Sequence, residues 1–256
     1  MFAGIFSVGR FSGSVRTTFL LSVVLLLSAF VIDGAAQKRF SKTYPAGQDV
    51  KLQLINRTGT VTVEGWNRPE VSIVASVEAP AANIAPQSLS GLILINLVRD
   101  NQGRETGDVN FTIRVPYNSK VDIETLIGNL QVSNVRSGLV RAHISSEGDI
   151  VLTNIAAKFV SAENGLGDIV FDGEIHEGGV YRFTSMKGTI SLRIPFTSSF
   201  KLVATAPSTR NISLGAFASS NLTLVGDGRR ITGRFGDGSA TVTVTNQRGN
   251  IGFYSR

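Results

Sequence analysis

The chain contains no cysteine. That excludes disulfides, thiolate metal sites, cysteine nucleophiles and lipid attachment at a cysteine, so stability has to come from packing and backbone hydrogen bonds. Proline occurs seven times and tryptophan once. Histidine occurs only as His143 and His176, which leaves imidazole chemistry two possible places. A Ser-His-Asp set needs one histidine bonded to both other groups, and no Gly-x-Ser-x-Gly elbow is present. Both histidines therefore read as strand or turn residues, His143 on a strand and His176 in a glycine-flanked loop. Charged residues are sparse at 17%, and the formal net charge is +6. Apart from short pairs such as Lys38-Arg39 and Arg229-Arg230, the cations stand singly among strand-like residues. They describe a solvated surface, and no nucleic-acid partner is expected.

What is abundant is glycine, 27 residues, together with Val, Ile, Thr and Ser in a chain that is 42% hydrophobic. Many short strands joined by tight turns follow from that composition, around enough apolar material for one or two packed domains. The class is all-β.

Residues 1–18 carry Arg10 and Arg16 without an acid, and residues 19–32 are apolar apart from Ser22 and Ser28. This is the charge order of a signal peptide. The run, at about 14 residues, is shorter than the roughly 20 that cross a bilayer as a helix. Gly34, Ala35 and Ala36 supply small residues for cleavage before Gln37, which would take the formal charge from +6 to +5. An uncleaved signal anchor holding the protein at the inner membrane is the alternative, favoured by Lys38-Arg39 just after the run. Either way the segment 1–36 is read as an export helix, and the body as exported to the periplasm or cell surface.

From residue 37 to 120 the pattern predicts an N-terminal β region. Val50, Leu52 and Leu54 alternate with polar residues, Asn56-Arg57-Thr58-Gly59 supplies a turn, and Val61 and Val63 resume the alternation. Pro69 opens a strand over 71–77. The apolar stretch 91–98, the polar loop 100–108 and the alternating Phe111, Ile113 and Val115 read as a hairpin.

From residue 121 to the C-terminus a unit of Gly, polar, apolar, any, apolar recurs. It appears at Gly128-Asn129-Leu130-Gln131-Val132, at Gly148-Asp149-Ile150-Val151-Leu152, at Gly167-Asp168-Ile169-Val170-Phe171 and at Gly188-Thr189-Ile190-Ser191-Leu192. The period of about 20 residues lies in the solenoid range. Val140, Val160 and Val180 keep the same beat ahead of the glycines. Asn134, Asn154 and Gly173 follow at the corners, all types that enter the left-handed region cheaply. Stacking such coils makes a continuous core of Val132, Leu152, Phe171 and Leu192, since a single coil cannot bury its apolar face. The double glycine of Gly165-Leu166-Gly167 predicts a bulge or register shift there. Segments beyond residue 200 read as closing coils and a cap. The expected fold is a single-stranded, β-helix-like solenoid preceded by a β-strand and hairpin region.

The stretch from Leu54 through Gly59, Gly65-Trp66 and Val71, with the recurrent Ser/Thr, polar, Gly, polar, Ile element at 145–150, 185–190 and 245–251, resembles the candidate-adhesin domains of exported bacterial proteins, a family first defined without a function. The resemblance spans roughly residues 40–256. It implies a β-solenoid, export and a surface or envelope interaction role, and it brings no set of functional residues.

Asp149 and Asp168 occupy equivalent coil positions and would stack one rung apart. Paired carboxylates on one solenoid face can serve glycosidic chemistry, but an acid just after a turn glycine is equally a turn preference, and that reading is taken. Gly226-Asp227-Gly228 and Gly236-Asp237-Gly238 lack the ligand spacing of calcium loops and read as turns. No catalytic residue, metal or cofactor is expected. Trp66 beside Arg68 is the one candidate ligand contact, an aromatic and a cation that could stack on a sugar. The function expected is a noncatalytic envelope or surface module binding an unidentified protein or polysaccharide. The alternative is a carbohydrate-active β-helix enzyme. An outer-membrane barrel ranks last, because the strands are short and aromatics for girdles are few.

Overall fold

The computed structural model describes Gly4, residues 38–218 and residues 221–256. Apart from Gly4, the segment 1–36 that is expected to direct export lies outside the described residues, and no described helix is long and apolar enough to cross a membrane. Gln37–Arg256 forms one compact unit, joined by a 19-stranded sheet among the described residues.

Most coils are a pair of strands bent at a glycine. The first is β2 (Lys51–Ile55) and β3 (Val61–Trp66). β1 (Lys38–Pro45) and β4 (Glu70–Val77) lie outside it as an antiparallel pair. After β5 (Gln87–Leu89) come β6 (Leu92–Asn96), the single-turn helix α1 (Leu97–Asp100) and β7 (Val109–Pro116). The regular coils follow: β8 (Lys120–Ile127) with β9 (Leu130–Ser133), β10 (Leu139–Glu147) with β11 (Ile150–Ile155), and β12 (Phe159–Leu166) with β13 (Ile169–Gly173). β14 (Val180–Ile194) runs unbroken through both halves of its coil. The chain then makes β15 (Phe200–Thr205), the two-residue β16 (Ile212–Ser213), the hairpin of β17 (Leu222–Val225) and β18 (Arg230–Phe235), and finally β19 (Ala240–Ser255).

The result is β-solenoid-like, with strands stacked in parallel on two faces. On the first face the order is β6, β2, β8, β10, β12, β14, β19, β15. On the second it is β7, β3, β9, β11, β13, β14, β19. The expected core column exists: Leu152 is in register with Val132 and Phe171, and Phe171 with Leu192. All four are fully buried. Because successive side chains of a strand alternate sides, the same register sends Val151 and Val170 outward.

The coils are not stacked in chain order. β6 and β7 do not form the hairpin expected of residues 91–115; they run parallel to β2 and β3 as an outer coil. The stretch between them, which holds α1 and the loop after it, reverses nothing but carries the chain from one face to the other. β2 and β3 are thus sandwiched between that outer coil and the β8–β9 coil, so stacking is continuous across residue 120. The C-terminal end repeats the device. The chain steps over one slot from β14 to β15, makes its hairpin, and returns β19 into the gap between them.

Other expectations shift by one residue. Val140 pairs with Val160, but Val160 pairs with Tyr181, so Val180 falls one position out of the series. A slip of one residue reverses the face: Tyr181 is buried and Val180 is exposed. The register irregularity sits on β10, between Ile144 and Glu147, not at the double glycine of β12. Asn134 and Asn154 do have left-handed φ values of 60° and 53°. Gly173 does not; it is needed because a Cβ there would strike the carbonyl of Ile155 and the Phe171 ring.

Tyr181 is the largest group in this core, and its phenol is satisfied by two backbone partners. The hydroxyl donates to the Ala157 carbonyl at 2.9 Å and accepts from the His176 N–H at 2.7 Å. Burial pushes the phenol above its ordinary value, with the His176 N–H acting in the opposite sense. A raised pKa in the folded state means that this stabilisation is complete below the unfolded tyrosine value of about 10 and fades as pH rises through the folded one. Tyr181→Phe should cost about 1–3 kcal/mol at pH 7, since it strands the buried Ala157 carbonyl. Denaturant titrations of both proteins should also show the variant losing less stability than the parent above pH 10.

Candidate functional site

Where each coil bends between its two faces, Gly59, Gly128, Gly148, Gly167, Gly188 and Gly249 lie one above another. A Cβ on any of the last five would run into the carbonyl of the glycine below. The bend also turns carbonyls into the interior, where they lose the sheet ladder. Buried polar side chains meet them there. Asn164 donates to Gly148 at 2.7 Å, and Asn246 donates to Gly188 at 2.8 Å and to Asn250 at 2.9 Å. Asn56 donates to the Val109 carbonyl at 3.2 Å in the first coil.

On the outside of the same bend the residues after the glycines form a second ladder. The Asn129 side chain accepts from the Asp149 N–H at 2.9 Å. Asp149 accepts from the Asp168 N–H at 2.7 Å, and Asp168 from the Thr189 N–H at 2.7 Å. Asp149 and Asp168 are therefore stacked one rung apart, as their spacing implies, and each spends a carboxylate oxygen on the next coil's backbone. With no side chains on its glycine floor, the bend forms an open groove of about 450 Å³. Asn129 and Asp149 stand along one wall, and Glu147, Leu166 and Lys187 along the other.

Trp66 ends β3 at the opposite bend. Its indole N–H donates to the Glu70 carbonyl at 2.9 Å. Arg68 lies 5.0 Å over the ring and pairs with Glu70 at 3.6 Å. Arg114 approaches the ring at 5.7 Å and pairs with Glu64 at 3.2 Å. Trp66 and Arg68 are brought together beside Arg114, with the indole N–H bonded and both cations paired to carboxylates.

His143 projects from β10 between Glu124 on one neighbouring rung and Glu163 on the other. Beside it Arg141 bonds Asp122 at 2.9 Å, Asp122 also holds Lys51 at 3.5 Å, and Glu124 lies 3.8 Å from Arg141. This network ties three rungs of the first face. His176 lies in the loop before β14. Gly226-Asp227-Gly228 and Gly236-Asp237-Gly238 turn the chain between β17, β18 and β19. The Asp237 carboxyl is held below its ordinary value, first by the Ser239 N–H. Among the described residues no group of three His, Cys, Asp or Glu side chains is placed to hold a metal ion.

Sequence reasoning found the acidic ladder and the Trp–Arg pair but missed the buried asparagines. Their signal was present: Asn56, Asn164 and Asn246 each precede a bend glycine by three residues.

The parallel stacking, the glycine bends and the absence of a helical layer among the described residues define a β-solenoid-like class. A sequence profile, Toastrack DUF4097, matches residues 32–253. The chain belongs to that family. Among solved structures, it is similar to a candidate cell adhesion protein from Clostridium sporogenes, with a TM-score of 0.54 and 11% identity, covering 86% of this chain and 100% of that one. A candidate adhesin from Bacteroides fragilis aligns with a TM-score of 0.35 and 8% identity over 87% of this chain and 99% of that one. The first likeness supports the fold. No curated protein matches the chain.

Proposed function

We propose that the protein is a noncatalytic, adhesin-like binding or assembly module, exported to the periplasm or cell surface. The observation that carries this reading is the outward display. Residues such as Arg141 with Asp122, or Asp149 with Asp168, are fixed in columns at the rung spacing of about 4.8 Å on a rigid stack. Such a surface suits an extended, repetitive partner. Membership of the family and the cell-adhesion name of the similar Clostridium sporogenes structure support the same reading.

A carbohydrate-active role for Asp149 and Asp168 is the competing reading. Their engagement with backbone N–H groups accounts for both without it. Cell fractionation with intact-mass measurement should recover a chain beginning at Gln37 in the envelope or medium. That protein should co-sediment with isolated envelopes and leave polysaccharides uncut. Cleavage that disappears in Asp149→Asn or Asp168→Asn would replace the binding module with an enzyme.

A further inference from the structure

The charge is not spread evenly over the solenoid. Residues 38–177 hold thirteen Lys and Arg against sixteen Asp and Glu, a net of −3. Residues 178–256 hold ten against two, a net of +8. Those last residues are also the last rungs in space, because β19, β15, β18 and β17 follow β14 on the first face.

The register shows what that face presents. Thr184, Thr245 and Thr205 form one column across β14, β19 and β15. Arg182 leads the neighbouring column, which continues through Thr243 and Val203 to Thr232. Lys201 sits opposite Arg234, and Thr205 opposite Arg230. All four cations are exposed. No outward position on the first-face part of these five strands is acidic, and none of the four cations makes an ion pair among the described residues. Arg234 lies over Gly238 at the rim, near Asp237. The ion pairs of the first face lie away from these strands, on β2, β8 and β10 around Asp122 and Arg141.

We infer that the outer surface of β14, β19, β15 and β18 binds an anionic polysaccharide, with Arg182, Lys201 and Arg230 engaging its acidic groups and the threonine columns its hydroxyls. This rests on the binding-module reading and names its ligand class. Three strand spacings separate its outermost strands by about 14 Å, flat and rigid, as a stretched polymer needs. Threonine hydroxyls both donate and accept, which matches sugar hydroxyls. Their methyl groups and Val203 offer an apolar floor for the C–H face of a pyranose. Arg182 and Arg230 stand apart among half-buried hydroxyls, with only Lys201 and Arg234 side by side, which suits spaced charges on a chain better than a dense lipid surface, which binds through clustered cations with apolar insertion.

The test uses the chain as isolated from the envelope of a producing bacterium. Retention is measured on polygalacturonate, on neutral dextran, and on phosphatidylglycerol vesicles. Polygalacturonate should retain the protein and dextran should not, and raising salt from 0.05 to 0.5 M should weaken retention about tenfold by screening. The triple variant Arg182→Ser, Lys201→Ser, Arg230→Ser should bind polygalacturonate about tenfold or more weakly, at an unchanged unfolding temperature. Removing the same charge elsewhere, in Arg193→Ser, Arg210→Ser, Arg248→Ser, should change binding less than about twofold if the patch and not net charge is responsible. Equal losses in the two triple variants, or retention on vesicles alone, overturn the inference. If polygalacturonate is ignored while isolated envelopes are still bound, only the ligand class is wrong. If neither is bound, the module reading falls as well.

Discussion

Replacing Gly148 by alanine is expected to lower stability by about 3–5 kcal/mol, from strain of about 1–3 kcal/mol in an unfavourable backbone region and a similar cost of forcing packed backbone apart. Gly148 has a φ of 144°, and its missing Cβ leaves room for the Gly128 carbonyl. Neither rung can move aside, because Gly128 is itself stacked on Gly59 and Gly167 on Gly148. For a domain of this size the loss corresponds to a fall in unfolding temperature of about 10 °C. Gly103→Ala is the internal control. Gly103 also has a positive φ, 70°, but nothing lies within 4 Å of an added Cβ. It should cost about 1 kcal/mol, the backbone preference alone. Similar losses in the two variants would show that the bend glycines serve backbone conformation only and not the close approach of coils.

Removing residues 240–256 is expected to be more damaging than the loss of a last strand ordinarily is. β19 buries Ala240, Val242, Val244, Ile251 and Phe253. At about 1.5–3 kcal/mol for each of the larger side chains, roughly 8 kcal/mol goes with them, comparable to the whole stability of a typical domain. The strand also stands between β14 and β15, so its loss separates everything beyond it from the stack. Phe200 and Phe217 lose the Phe253 ring, which lies 6.5 Å and 6.4 Å away. Limited proteolysis of the truncated chain should therefore digest residues 195–239 rapidly while the coils up to β14 persist. A stack laid down in chain order would instead lose only an outer rung and leave β15 and β18 protected.

The two predictions mark where the sequence was readable. Glycines about 20 residues apart, with an aliphatic residue two and four positions later, report a bend and an inward face directly, because both are local requirements. The column of Val132, Leu152, Phe171 and Leu192 follows from them. Which coil lies beside which is not a local property. Parallel strands have no tight turn to announce their pairing, so residues 91–115 resemble a hairpin although β6 and β7 never meet. For the same reason nothing in the order of residues 200–256 shows that the last strand returns to an inner slot.

Side-chain identity at single positions was readable only where the period held. The series Val140, Val160 and Val180 fails at its last member because the coil from Gly167 to Gly188 is longer than its predecessor, and Tyr181 takes the core position. Asp149 and Asp168 were read as turn residues, and each does accept from a backbone N–H of the next coil, at Asp168 and Thr189. The cations escaped notice because they are dispersed along the chain. Only the pairing of β19 with both β14 and β15 gathers Arg182, Lys201 and Arg230 onto one surface with the threonines.

That insertion underlies the locked C-terminal end, the cap and the proposed binding face, and cysteine pairs can test it in a chain that has none of its own. Residues one rung apart, about 4.8 Å, can form a disulfide, whereas residues two rungs apart, about 9.6 Å, cannot. Thr184→Cys with Thr245→Cys should oxidise to an intramolecular crosslink, and Thr184→Cys with Thr205→Cys should stay reduced. A crosslink between positions 184 and 205, with none between 184 and 245, would mean that the coils stack in chain order.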